Sequence, residues 1–258
     1  MNDIDQVTLH ARTATVPSEP ARKLVTLIVL AKLPIPGMVK TRLSPPCTDV
    51  EAASIAEAAL RDTLLTTSRV VDESPQVFSE LVIVLERAGR PTPAWITDAG
   101  RVIDQSGAGL AERLAHAFAQ FVGPAFLIAM DTPQVTASAL RGAAQSLGSD
   151  DSVFGPASDG GFWLIGFAEN HASVFDGVPM STAETGEKQL LAMRAVGLSP
   201  KILETMTDFD TYRDAVDISQ QIPTSNFHVA VSLVARRLNY GKPMRETTTL
   251  GHTKHLTH

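Results

Sequence analysis

The sequence predicts an α/β protein, a three-layer α/β/α sandwich with a mostly parallel twisted sheet between helices. Three observations carry this expectation. Apolar runs of strand length recur at Leu24 to Ala31, Leu81 to Leu85 and Ala125 to Met130, and continuous apolar strands of this kind are buried on both faces. Stretches with apolar residues at three- and four-residue spacing lie between them, at Val50 to Val70, Leu110 to Phe121 and Thr136 to Leu147. Strand and helix therefore alternate, which is how a parallel sheet is built.

Taken in order, the remaining elements extend the pattern. Ser152 to Phe154 and Phe162 to Phe167 read as strands joined through Gly155, Pro156, Asp159, Gly160 and Gly161, a hairpin-like piece that departs from the parallel order. Ala183 to Val196 reads as a helix, Lys201 to Leu203 as a short strand, and Thr211 to Gln220 and Val229 to Leu238 as helices. The expected organisation is one domain over residues 23–240, with a disordered tail over 1–22 and a flexible tail over 241–258. His252, His255 and His258 in that last tail carry no metal signal, because they stand in a Thr-rich terminus without structure of its own.

Composition narrows the function. With 44% hydrophobic and 19% charged residues in 258, the chain holds enough apolar surface to fold without disulfides or a structural metal. A net charge of -6 argues against nucleic acid as a partner, since phosphate backbones are held by clustered Lys and Arg. The single cysteine, Cys47, excludes an internal disulfide and fits a reducing, cytoplasmic setting. No apolar run is long enough to span a bilayer, and the first twenty residues lack the basic and apolar regions of a signal peptide.

Chemistry is expected where loops leave the carboxyl ends of strands, because ligands of open α/β sheets bind there. The loop after the first strand, Lys32-Leu33-Pro34-Ile35-Pro36-Gly37-Met38-Val39-Lys40-Thr41-Arg42-Leu43, offers close backbone approach at Gly37. Lys32, Lys40 and Arg42 add the positive charge that a polyphosphate requires. Three cations in one post-strand loop of an acidic chain point to phosphate binding rather than to a solvated basic loop. The spacing is neither Gly-x-x-x-x-Gly-Lys-Ser/Thr nor a dinucleotide fingerprint. Asp131, in Ala129-Met130-Asp131-Thr132-Pro133, follows an uninterrupted apolar strand. A carboxylate there can hold Mg²⁺ or Mn²⁺ against phosphate oxygens; taken alone, Asp-Thr-Pro reads first as ordinary cap chemistry for the helix near Thr136. Asp208 and Asp210, one residue apart, project to one side of an extended loop, and Asp210 can equally cap the helix after Thr211. His116 and His171 read as structural or surface residues.

These stretches also carry a resemblance. Pro36-Gly37-x-Val39-Lys40-Thr41-Arg42-Leu43 resembles the opening signature of a bacterial family of glycosyltransferases of the glycosyltransferase-A, nucleotide-diphospho-sugar transferase superfamily. A similar Lys-Thr-Arg-Leu occurs in the guanylyltransferases that activate 2-phospholactate. Asp131-Thr132-Pro133 is similar to the superfamily's Asp-x-Pro, whose Asp is a metal ligand. Gly155-Pro156-Ala157-Ser158-Asp159-Gly160-Gly161-Phe162-Trp163-Leu164-Ile165-Gly166 resembles a family segment nearly throughout, and Thr207-Asp208-Phe209-Asp210-Thr211-Tyr212-Arg213-Asp214 resembles its closing acidic motif. Gln105-Ser106-Gly107-Ala108-Gly109-Leu110 is similar to a Gly-rich helix entry near the nucleotide.

The resemblance implies a transferase that binds a nucleotide or nucleotide-sugar and a small-molecule acceptor. Lys40 and Asp131 would be catalytic. Lys32, Gly37, Lys40, Thr41, Arg42, Gly107 and Gly109 would bind nucleotide phosphates, and Asp159, Gly160, Gly161, Ser181 and Thr182 the substrate, with the Gly160 and Gly161 amides and Asp159 orienting a hydroxyl. Asp131, Asp208 and Asp210 would hold the metal. Glycosyl transfer leads, nucleotidyl transfer is the alternative, and a non-catalytic nucleotide or sugar-phosphate sensor is a third reading. The third is motivated by Met130, Met180 and Tyr212, which stand where the family has Gly, Trp and Pro.

Overall fold

The computed structural model describes residues 23–240; both expected tails, with His252, His255 and His258, lie outside the described residues. The elements in chain order are β1 (Val25–Lys32), a 3-10 turn (Thr41–Leu43), α1 (Asp49–Glu73), β2 (Phe78–Glu86), α2 (Ala94–Thr97), β3 (Arg101–Asp104), α3 (Leu110–Ala119) and β4 (Ala125–Ala129). They continue with α4 (Ala137–Ser146), β5 (Ser152–Pro156), β6 (Phe162–Phe167), a 3-10 turn (Ala172–Phe175), α5 (Thr185–Ala195), β7 (Lys201–Ile202), α6 (Tyr212–Gln221) and α7 (Asn226–Tyr240).

The strands form one sheet in the order β3-β2-β1-β4-β6-β5-β7. All neighbours pair in parallel except β6, which runs antiparallel to both β4 and β5. The hairpin expected between residues 152 and 167 is this antiparallel piece. Alternation along β1 sends Leu27 and Val29 to one face and Ile28 to the other. On the first face they meet Ala53, Ala56, Leu60 and Leu64 of α1 with Leu140 and Ala143 of α4. On the second they meet Leu114 and Phe118 of α3 and Met193 of α5. The layers are those of a three-layer sandwich.

Helix α1 is apolar on two sides because it is covered twice. Ile55 and Ala59 turn away from the sheet and pack with Ala215 and Ile218 of α6 and Phe227 and Val231 of α7. The junction is fixed by Asp62, a buried carboxylate on α1 that accepts hydrogen bonds from the Asn226 and Phe227 amides (3.2 and 2.7 Å) and from Asn226 Nδ2 (2.7 Å). It answers the unpaired N–H groups and positive end of α7. Asp62→Ala is expected to lower unfolding stability by about 3 kcal/mol, since buried donors would be left without acceptors. Urea denaturation measures this, and unchanged stability would show that water replaces the carboxylate.

Two elements were not anticipated, α2 and β3. Strand β3 has only Val102 and Ile103 as apolar residues, lies at the sheet edge and is nowhere fully buried, so it lacks the apolar run that marks inner strands. Cys47 lies in a loop as expected, yet it is buried in the cluster between α1 and α7. Burial, followed by the Glu51 charge, pushes its thiol up to about 11. Among the described residues no helix is long and apolar enough to cross a membrane.

The sheet order determines where a ligand fits. From β1 the chain passes through α1 to β2 on one side, while β4 lies on the other. The loops leaving β1 and β4 therefore diverge from the same edge, the switch point at which open α/β sheets bind ligands.

Candidate active site

Two adjoining cavities open at this switch point. One, of about 460 Å³, is lined by Asp131, Asp159, Asp208 and Asp210 among others; the second, of about 520 Å³, is lined by Lys32, Lys40, Arg42 and Arg113 among others. Leu30, Arg42, Leu110, Ala129, Asp131, Ser181 and Asp210 border both. They are thus the acidic and basic lobes of a single cleft.

The acids converge because residues 204–211 are laced to two neighbouring loops. Ser158 N donates to Met206 O (3.0 Å), Gln134 Nε2 donates to Thr207 O, and Phe209 N donates to Asp131 O (3.2 Å). Trp163, buried in the core as well as lining the acidic lobe, donates from Nε1 to Glu204 O (3.0 Å). As a result, carboxylate oxygens of Asp159, Asp208 and Asp210 all lie within 4.8 Å of one another. Asp131 stands beside them across Lys40. Asp159, expected as a substrate group, thus joins the acids expected to hold a metal.

The helix-cap alternatives are settled by the caps themselves. Helix α4 is capped by the Thr136 hydroxyl, which accepts from Ala139 N, and α6 by Thr211 in a capping box with Asp214. Neither Asp131 nor Asp210 serves as a cap, so both carboxylates face the cleft for another reason. Tyr212, where the resembling family has Pro, is the first residue of α6, a position that favours Pro but tolerates most residues. Met130 is buried, and its Sδ accepts from Lys32 N at 3.3 Å. Both departures therefore have local structural roles.

Lys40 is placed differently from a simple phosphate clamp. Its Nζ lies 2.6 Å from Phe209 O, 3.1 Å from Asp131 Oδ2 and 3.2 Å from Asp210 Oδ1, so the three ammonium protons are matched by three acceptors. The ammonium also sits 4.3 Å from the centre of the Phe209 ring. Burial disfavours its charge, yet the Asp131 and Asp210 carboxylates outweigh that and hold its pKa above the ordinary lysine value. Lys40 ties the loops after β1 and β4 to the segment before α6. Arg42 is more accessible: its side chain is 71% exposed, with Nη1 2.8 Å from Asp210 Oδ2.

The remaining cations are also answered. Glu86 pairs with Lys32 (3.3 Å) and with Arg113 (3.1 Å). Sequence reading singled out neither Glu86 nor Arg113 as a site residue, although Glu86 ends a strand and Arg113 follows the Gly-rich segment. Asp159 and Asp208 have no cationic partner among the ion pairs of the described residues. Burial, then repulsion from Asp159 and Asp210, pushes the Asp208 carboxyl up to about 6 against a backbone hydrogen bond and the Lys40 charge. The acidic lobe carries surplus negative charge, with four carboxylates and one cation, Arg42, among its lining residues.

The glycines serve loop geometry. Gly160 (φ 90°) approaches the next loop so closely that a Cβ would lie 2.0 Å from Ala183 O, and Gly160 O accepts from Gly186 N at 2.7 Å. The Gly160 and Gly161 amides, expected to face a substrate, are taken inside their own turn by Ala157 O (3.2 Å) and Asp159 Oδ1 (2.7 Å). This docking holds Asp159 against the loop bearing Ser181 and Thr182, which line the acidic lobe. Gly107 packs on the first turn of α3 and its carbonyl accepts from Arg113 Nε, while Gly109 and Thr41 line the basic lobe. Gly37 turns the β1 loop at φ 75° and lines neither lobe. Lys40 (φ 46°) and Ser181 (φ 60°) are non-glycine residues held in the left-handed region, and both border the basic lobe. Strain of this kind persists where surrounding structure enforces it, and it clusters at functional sites. His116 and His171 line neither lobe.

Known proteins resemble the chain in sequence and fold. Residues 69–182 match the model of the DUF2064 family, described as an uncharacterized protein conserved in bacteria. No curated protein sequence matches. A proposed nucleotide-diphospho-sugar transferase from Desulfovibrio desulfuricans G20 superposes with a TM-score of 0.68 at 25% identity, over 84% of this chain and 95% of that one. The 4-diphosphocytidyl-2C-methyl-D-erythritol synthase from Anaerococcus prevotii DSM 20548 superposes with a TM-score of 0.50 at 11% identity, over 83% of this chain and 99% of that one, a likeness of fold alone. The chain has the fold of the nucleotide-diphospho-sugar transferases, and its middle part, residues 69–182, is similar in sequence to a bacterial family without an assigned activity.

Proposed function

We propose that the protein is a metal-dependent transferase that binds the phosphates of a nucleotide in the basic lobe and transfers a glycosyl group to a small acceptor. One observation carries the reading: unpaired acids, Asp159 and Asp208, meet Asp210 beside a lobe lined with four cations, Lys32, Lys40, Arg42 and Arg113. A polyphosphate reaching from that lobe toward the acids meets repulsion; with a divalent cation on the acids it meets attraction. The donor set is all carboxylate oxygen, which suits Mg²⁺ or Mn²⁺ rather than a soft metal.

Asp159, Asp208 and Asp210 would hold the ion, with Asp131 beside them. When bound, it would neutralise charge on the leaving phosphates. The protein's own groups do the positioning. Lys40 bridges Asp131 and Asp210 and orients both carboxylates. Arg42, exposed and attached to Asp210 by one contact, is free to turn toward phosphate oxygens. Ser181, at the border of the lobes, stands where donor and acceptor meet. Catalysis then rests on positioning and charge stabilisation.

The structural likeness to the Desulfovibrio protein supports the glycosyl form. Nucleotidyl transfer is favoured by one sequence feature, Lys40-Thr41-Arg42-Leu43, which resembles the guanylyltransferase loop. The products separate them: incubation of nucleotide-sugars or of GTP with acceptors and Mn²⁺ yields a nucleoside diphosphate in the first reaction and pyrophosphate in the second. Absence of both across nucleotide donors would leave only the sensor reading.

Acidity at the site gives a pH dependence. Asp208 must be ionised to bind metal, and its pKa of about 6 lies above the ordinary carboxylate range. Below that pH a proton competes with the ion, so Mn²⁺ affinity is expected to rise about tenfold from pH 5 to pH 7 and to level above it. Titration of Mn²⁺ by electron paramagnetic resonance measures the profile; a flat one would remove Asp208 from the ligand set.

A further inference from the structure

We infer that the acceptor bound in the acidic lobe is a hydroxyl compound with an apolar body and no phosphate or carboxylate group. The inference rests on the nucleotide reading above, which assigns phosphates to the basic lobe.

The lobe's lining carries it. Part of the lining is apolar: Leu110, 37% exposed, and half-buried Phe162, together with the buried Leu114 and Leu127. An apolar surface of this kind gains by covering an apolar ligand face. Asp159 and Asp208 also line the lobe, neither paired with a cation among the ion pairs of the described residues. The Ser181 and Thr182 hydroxyls stand at the rim as neutral donors and acceptors.

Among the described residues no lysine lines this lobe, and its one arginine, Arg42, lies on the border with the basic lobe, where the nucleotide reading commits it to the donor's phosphates. A phosphorylated acceptor would bring its charge against two carboxylates with no cation of its own. A divalent ion on Asp159, Asp208 and Asp210 would be outweighed by those three carboxylates and further shared with the donor's phosphates, so it does not remove that penalty. An alcohol meets neither obstacle: its hydroxyl can donate to a carboxylate while its carbon body covers the apolar lining. The cavity of about 460 Å³ is in the range that holds a small molecule of this type.

The test uses the full chain with Mn²⁺ and UDP or GDP, whichever calorimetry shows to bind. Hexyl and phenyl β-D-glucopyranosides are compared with glucose 6-phosphate by saturation-transfer NMR titration. At least one glycoside is expected to bind at least tenfold more tightly than glucose 6-phosphate. Leu110→Asp is expected to weaken that binding at least tenfold with the melting temperature unchanged, because an acid suits the first turn of α3. Equal or tighter binding of glucose 6-phosphate overturns the inference, as does failure of both glycosides while the nucleotide binds. Glycoside binding unaffected by Leu110→Asp overturns it too. Failure of every nucleotide to bind with Mn²⁺ overturns the parent reading, a result visible before any acceptor is added.

Discussion

Asp210→Asn is expected to weaken Mn²⁺-dependent nucleotide binding at least about 100-fold, close to 3 kcal/mol, while the protein stays folded. Asp210 is the residue on which the two halves of the cleft depend. Its Oδ1 lies 3.2 Å from Lys40 Nζ, its Oδ2 lies 2.8 Å from Arg42 Nη1, and it belongs to the acidic triad. Asparagine keeps the shape and removes the charge. The metal then loses an anionic ligand, buried Lys40 keeps a single carboxylate, and Arg42 loses its tether; removing a preorganised charge from such a site costs on this scale. The fold survives because the α6 cap is Thr211 with Asp214, not Asp210. Calorimetry with Mn²⁺ present reads the effect, and affinity within threefold of the unaltered protein would remove Asp210 from the site.

Gly160→Ala is expected to cost at least about 3 kcal/mol of stability, or to prevent recovery of folded protein. A Cβ at Gly160 would meet backbone only, Ala183 O at 2.0 Å and Ala183 C at 2.7 Å, and φ is 90°. Backbone atoms cannot turn aside as a side chain does, and alanine is strained at this φ. The loop carrying Asp159 would have to part from the loop carrying Ser181 and Thr182. Gly161→Ala is the informative contrast, because its Cβ would meet Asp159 Oδ1, a side-chain atom, at 3.1 Å. That variant is expected to fold with a loss within about 1 kcal/mol and to show its main defect in Mn²⁺ affinity. Thermal melts with Mn²⁺ titration distinguish the two, and equal stability of both variants would show that the loops do not interlock.

How much of this was legible in the sequence depends on whether the signal was local. Strands β1, β2 and β4 announce themselves because both faces are buried and the runs are apolar with Thr26 as the exception. Strand β3 does not, since an edge strand of four residues carries no such run. The meeting of the Lys40 loop with Asp131 and Asp210 was legible, because each follows a strand or belongs to an ordered motif. That Lys40 spends its protons on those carboxylates was not: the partners are 91 and 170 positions away, and no pattern in a loop records which carboxylate closes over it. The same holds for Asp159. Asp-Gly-Gly reads as a turn, and only the pairing of residues 157 and 158 with Met206 brings its carboxylate to Asp208. The hydrogen bonds that occupy the Gly160 and Gly161 amides were not legible for a related reason. The sequence shows that Gly160 needs freedom, but the neighbour that requires it, Ala183, comes from another loop.

The central claim is that the surplus acids of this cleft require a divalent cation before the cleft accepts a nucleotide's phosphates. Isothermal calorimetry of UDP and GDP, with Mn²⁺ and with Mn²⁺ removed by chelator, tests it most directly. At least one nucleotide is expected to bind with the ion and to show no saturable heat without it; equal affinity in both conditions, or no binding in either, would contradict the account.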